Sequence, residues 1–326
     1  MNAEELAEWL THRLPQISRL NLNPSQLRVR HVMNWGGFVN HSFYVSDGSV
    51  QYHLKLTDDL ESIGKLRKWH GIHHLLEGRY RSPEIILWMD FSDIGFLGLL
   101  QEHVAGQTAD FCRNPVLVAR LIKLLGHLHS DAKVRFHLNA SGSEKICYDH
   151  FVETYIDRFT ADMQEMVSGE VPFVSAALFK WMEDENQRLR QIADAEDTFH
   201  TPAHASVHGD VNEGNVLVTP ARWFVVDWDD IALGDPAVEF AVLLWPMIYR
   251  GRRWRDFPIP DMDESFARRM EICLRAQLLD EVIDPLADYV AARAVPSRET
   301  EVRLAKRMRH SEALERYRTL YRLANR

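Results

Sequence analysis

Between His208 and Asn215 the chain reads His-Gly-Asp-Val-Asn-Glu-Gly-Asn, and twelve residues beyond Asn215 it reads Asp227-Trp228-Asp229. Two short runs fill the interval, Asn215-Val216-Leu217-Val218 and Trp223-Phe224-Val225-Val226, around Thr219-Pro220-Ala221-Arg222. Their β-branched and aromatic residues predict strands, and the four residues between them predict a turn. Antiparallel pairing about that turn brings Asp227 opposite Gly214 or Asn215, so a carboxylate and a carboxamide share one end of a hairpin. Both are oxygen donors of the kind magnesium takes. Asp210 lies one loop earlier, outside the ladder, where it can orient an attacking hydroxyl or accept its proton.

These residues resemble the catalytic loop and metal-binding strand of the aminoglycoside phosphotransferase and choline kinase superfamily, which shares its fold with the protein kinases. His208, Asp210 and Asn215 match its His-x-Asp-x-x-x-x-Asn loop, and Asp227 and Asp229 match the later Asp-x-Asp turn. The resemblance implies that Asp210 is the catalytic aspartate, that His208 supports the loop, and that Asn215 and Asp227 hold Mg2+. Leu99 to Gly106 looks like the connector that binds the purine, Leu125-Gly126-His127-Leu128-His129 like the family's Leu-Gly-x-Leu-His helix end, and Gly234-Asp235-Pro236 like the stretch after the metal-binding strand. It covers about residues 30 to 245. In the family the aspartate at 235 braces the catalytic loop; here it also sits where a helix cap belongs, before a proline at the first turn.

Lys55, in His53-Leu54-Lys55-Leu56, lies on an expected strand and can set its ammonium against the α and β phosphates of a nucleotide. Its usual partner is a glutamate on the next helix. Glu61 comes early in that helix and Glu77 late, while the middle carries Lys65, Arg67 and Lys68. Glu61 is the favoured candidate. Asn34-Trp35-Gly36-Gly37-Phe38-Val39-Asn40 lies where a phosphate-covering loop belongs, and Gly36 and Gly37 let backbone amides approach phosphate. Gln101, Glu102 and Val104 fall where the purine is read. Because backbone reads it there, ATP and GTP are both open as donor. No Gly-x-x-x-x-Gly-Lys-Ser/Thr occurs, which disfavours a P-loop enzyme.

The remaining pattern predicts an α+β, two-lobed, protein-kinase-like fold. Leu6, Trp9, Leu10 and Leu14 share one face of a helix over 3 to 14. Strands follow at 27–32, 42–45 and 50–56, with Asp47-Gly48 as a hairpin signal, then a helix over 59–77 and strands at 84–89 and 96–102. That arrangement makes 1–100 a small nucleotide-covering lobe and 101–106 a hinge. Residues 107–326 form a mainly helical lobe, with helices at 116–129, about 150–167, 174–195, 236–249, 262–293 and 298–324, which carries the catalytic loop and the acceptor site.

With 46% hydrophobic and 26% charged residues in 326, the chain reads as an ordinary soluble protein. It has no run of about twenty apolar residues and no basic leader, so the expectation is no membrane and a cytoplasmic location. A net charge of −9 argues against nucleic acid and is compatible with a cationic acceptor. Cys112, Cys147 and Cys273 are odd in number and far apart, which suits reduced core residues. His70, His73 and His74, and His200, His204 and His208, lack the third ligand and acid of a zinc site. Trp228, Trp245, Tyr249 and Trp254 can line a pocket for a cation, although core packing suits them better. The basic segment after Ser297 suits a helix packed on the acidic remainder.

The expected partners are a nucleoside triphosphate and a small hydroxylated acceptor. The acceptor stays open between an aminoglycoside, a metabolite such as choline, ethanolamine, homoserine or a sugar, and a serine or threonine of a protein. A catalytically silent nucleotide-binding regulator is the reading from another class. Oligomeric state is not indicated.

Overall fold

The computed structural model describes residues 3–13, 20, 22–32, 41–139, 145–169, 171–260, 262–294 and 298–321. The chain divides into two compact units, Met1–Ala109 with Asn212–Ile231, and Asp110–Val211 with Ala232–Arg326.

In the first unit, helix α1 (Ala3–Arg13) precedes a five-stranded antiparallel sheet of β1 (Arg28–His31), β2 (His41–Ser46), β3 (Gln51–Thr57), β4 (Ile85–Phe91) and β5 (Phe96–Glu102). The sheet order is β1-β2-β3-β5-β4. Alternation sorts its faces. Phe43, Val45, Tyr52, Leu54, Leu56 and Leu100 form a core with Leu6 and Leu10 of α1, each buried leucine contributing about 1.5–3 kcal/mol. Lys55 points to the other face, toward helix α2 (Leu60–Tyr80). Asp59 caps α2 by accepting the Ser62 N–H at 2.8 Å, and the helix ends at Arg81 in a left-handed conformation.

Strand β6 (Gln107–Thr108) leaves the end of the connector and pairs with the hairpin strand β8 (Val216–Val218), which pairs in turn with β9 (Trp223–Val225). The register sets Val216 opposite Val225 and Val218 opposite Trp223. The Arg81 carbonyl accepts the Val225 N–H at 3.0 Å, so the end of α2 is tied to the hairpin.

The second unit is mainly helical. It contains α3 (Pro115–His129), α4 (Ala132–Leu138), α5 (Cys147–Phe151), α6 (Arg158–Gly169) and α7 (Ala176–Ala195), then α8 (Pro236–Tyr249), α9 (Glu264–Ala291) and α10 (Glu299–Leu320). A π-helical turn, Val152–Asp157, joins α5 to α6. Asn186 of α7 donates to the Ile156 carbonyl inside that turn at 3.2 Å. Two three-residue strands, β7 (Ala205–Val207) and β10 (Ala232–Gly234), pair antiparallel. The basic helix α10 packs on α9, where Arg309 meets Glu281 at 2.5 Å and Lys306 meets Asp288. Among the described residues no helix is long and apolar enough to cross a membrane.

Candidate active site

The loop after β7 starts at His208, which is fully buried. Its Nδ1 accepts the Asp210 N–H at 3.2 Å, which puts the ring proton on Nε2. Between them Gly209 adopts φ +94°, a region that a side chain makes costly. The loop backbone is held from below by Glu239 of α8, 1% exposed. Its carboxylate accepts the His208 N–H at 2.5 Å and the Gly209 N–H at 3.3 Å, and it pairs with His129 Nε2. His129 is the last residue of Leu-Gly-His-Leu-His, so the geometry gives that motif a partner.

Asp235 was expected to brace the same loop. It caps α8 by accepting the Ala237 N–H at 3.0 Å and pairs with Arg269 at 2.7 Å, while the amides of His208 and Gly209 go to Glu239. The sequence signal for Glu239 is an acid inside the apolar run Ala-Val-Glu-Phe-Ala-Val-Leu-Leu, where burial demands a partner.

In the first unit, Asn212 caps the turn into β8 by accepting the Gly214 N–H at 2.8 Å. The Val226 N–H reaches the Asn215 carbonyl at 2.9 Å, and continuing the register sets Asp227 opposite Gly214. Asp227 has φ +67°, rare for a residue with a side chain and a kind of strain found at ligand clamps. The turn that follows is fixed by the buried Trp228, whose Nε1–H donates to the Val225 carbonyl at 2.8 Å.

Lys55 ties β3 to this turn. Its ammonium pairs with Asp227 and, at 3.1 Å, with Asp229. Burial disfavours the charge on Lys55, and Asp227 and Asp229 more than offset that, so the ammonium form is held above its ordinary range. Burial pushes the Asp227 carboxyl up, Lys55 opposes the shift, and Asp229 adds to it. Asp229 is held low despite its burial, chiefly by Lys55. Two carboxyl groups thus share one ammonium. The carboxamide of Asn215 and the carboxylate of Asp227 are hard oxygen donors at one end of the hairpin, so the donor set fits magnesium.

Glu61 does not supply the partner of Lys55. It is exposed in the first turn of α2 and pairs with Lys65 at 3.3 Å, where an acid favours the helix dipole. Lys65 also reaches Asp230 at 3.1 Å. Gly36 and Gly37 lie outside the described residues. Gln101 and Glu102 end β5, with Gln101 4% exposed. Val104 follows them, and its carbonyl accepts the Gly106 N–H at 2.9 Å. Trp254 is buried, which favours packing over a role in lining a pocket.

A family model described as "Phosphotransferase enzyme family" matches residues 33–271. The chain belongs to that family. It is therefore a phosphotransferase, and the match runs past residue 245, where the resemblance in the motifs stops. No curated protein matches the chain at a significant level.

Solved structures agree on the fold. The choline kinase of Cryptosporidium parvum Iowa II is 16% identical with a TM-score of 0.60, covering 98% of this chain and 96% of its own. Spectinomycin phosphotransferase APH(9)-Ia, in complex with ADP and spectinomycin, is 13% identical with a TM-score of 0.57 over 97% and 98%. Choline kinase LicA of Streptococcus pneumoniae is 12% identical with a TM-score of 0.53 over 97% and 99%. The phosphotransferase thus has the two-lobed, protein-kinase-like α+β fold.

Proposed function

We propose that the chain is a magnesium-dependent small-molecule kinase that moves the γ-phosphoryl group of ATP or GTP to a hydroxyl. The observation that carries this reading is the grouping of Lys55, Asp227 and Asp229 where β3 meets the hairpin turn. An ammonium and paired oxygen donors at one point suit a polyphosphate and its counter-ion.

In this reading Lys55 contacts the α and β phosphates, and Asn215 and Asp227 hold magnesium, which neutralises phosphate charge. The Val104 N–H, whose carbonyl is already engaged with Gly106, is the group offered to the purine, beside Gln101 and Glu102. Asp210 orients the acceptor hydroxyl and takes its proton. His208 and Glu239 keep Asp210 in place through the loop backbone. Catalysis is then mainly positioning and charge neutralisation.

The acceptor is proposed to be a small hydroxylated cation. Net charge of −9 favours such a ligand, and structures of the same fold are named for choline and spectinomycin. The test is ADP release with ATP, magnesium and a panel of choline, ethanolamine, homoserine, kanamycin and spectinomycin. Release above the acceptor-free rate with one of them is expected. No response to any of them would count against the small-molecule reading and favour a protein acceptor.

A further inference from the structure

Helix α2 brings no acid to Lys55. Glu61 pairs with Lys65, and Glu77 accepts the Ile85 N–H at 3.1 Å. What α2 does bring is an aromatic face. The Lys55 ammonium lies 5.7 Å from the centroid of the Trp69 ring, within the range of a cation–π contact. Trp69 is fully buried and Lys55 is 7% exposed, so little water competes. We propose that Trp69 is the positioning residue for Lys55, holding its ammonium by the ring face in place of a helix carboxylate.

Among the described residues the buried Trp69 Nε1–H has no hydrogen-bond partner, a cost that phenylalanine would avoid. Packing alone therefore does not explain an indole here, whereas indole is the strongest cation–π acceptor among the side chains. Were Asp227 to hold magnesium, its hold on Lys55 would weaken. A neutral ring keeps the ammonium aligned without repelling the phosphates it must meet, as a carboxylate in that place would.

The proposal rests on the reading of Lys55 as a phosphate contact, and the experiment separates the two. Binding of ATP and of adenosine, which lacks phosphate, is measured by calorimetry for the wild type, Trp69→Phe, Trp69→Leu and Lys55→Met, with thermal melting as the folding check. Trp69→Leu is expected to weaken ATP about ten-fold and adenosine less than about two-fold, while Trp69→Phe stays within about three-fold of wild type for both. Trp69→Met replaces the leucine variant if that variant does not fold. Equal ATP affinities for the phenylalanine and aliphatic variants, or equal losses for ATP and adenosine, would overturn the role of Trp69. Lys55→Met with unchanged ATP affinity would instead overturn the phosphate reading of Lys55, whatever Trp69 does.

Discussion

Glu239 accepts the His208 backbone N–H at 2.5 Å, so a carboxylate buried in an apolar helix sets the height of the loop that carries Asp210. The same carboxylate serves the Gly209 N–H and His129. Glu239→Ala leaves three donors without an acceptor and should cost about 3–5 kcal/mol in stability. Glu239→Gln keeps one acceptor oxygen and should cost about 1–2 kcal/mol. Turnover should fall more than ATP affinity in the glutamine variant, because the defect lies in the loop. Urea unfolding and ADP release check both, and an alanine variant as stable as wild type would refute the role.

Gly98 of β5 lies so close to β3 that a Cβ there would stand 1.9 Å from the Lys55 carbonyl oxygen. Gly98→Ala must push apart the strand that carries Lys55, costing about 1–3 kcal/mol and weakening ATP binding. Gly71, on an exposed face of α2, has nothing within 4 Å of the same added atom among the described residues. Gly71→Ala should therefore stabilise by roughly 0.5–1 kcal/mol. Melting curves and ATP titrations of the two variants should move in opposite senses for stability, with only Gly98→Ala losing affinity.

Helix α9 sets Asp280, Glu281, Asp284 and Asp288 against Arg158 and Asp162 of α6 and Lys306 and Arg309 of α10. Burial, then the charges of Asp280 and Asp288, push Asp284 up to about 7. Burial takes Glu281 to about 7 against the pull of Arg309, and Asp162 to about 6. The folded chain thus binds these protons more tightly than the unfolded chain, where carboxyls titrate near 4. Their stabilising contribution is complete below about pH 4 and is lost as pH rises through 6 to 7. Asp284→Asn should raise stability at pH 8 by about 1–2 kcal/mol and change little at pH 5. Melting temperatures of variant and wild type across that range decide it; a difference independent of pH would contradict the account.

Local pattern made much of this molecule legible. β5 at 96–102 and α8 at 236–249 lie where period and turn chemistry put them, and the hairpin register brings Asp227 opposite Gly214 as one of two expected pairings. What sequence did not show was partnership between distant segments. Lys55 finds Asp227 and Asp229 more than 170 residues away, and nothing local in α2 announces Trp69 as its neighbour. Glu239 meets a loop that is 31 residues distant along the chain. Strands β7 and β10, three residues each, are too short to show an alternation. The π-helical turn at Val152–Asp157 keeps a helix-like apolar pattern, so it is visible only through its hydrogen bonds.

In the proposed mechanism Asp210 serves phosphoryl transfer while the Lys55 and Asp227 group serves the nucleotide. The most direct measurement compares Asp210→Ala with wild type for ATP affinity and for acceptor-stimulated ADP release in magnesium. Transfer should fall at least about a hundred-fold, with ATP affinity within about two-fold of wild type, since in the proposed reading Asp210 acts on the acceptor hydroxyl. Wild-type turnover in the alanine variant would contradict the account.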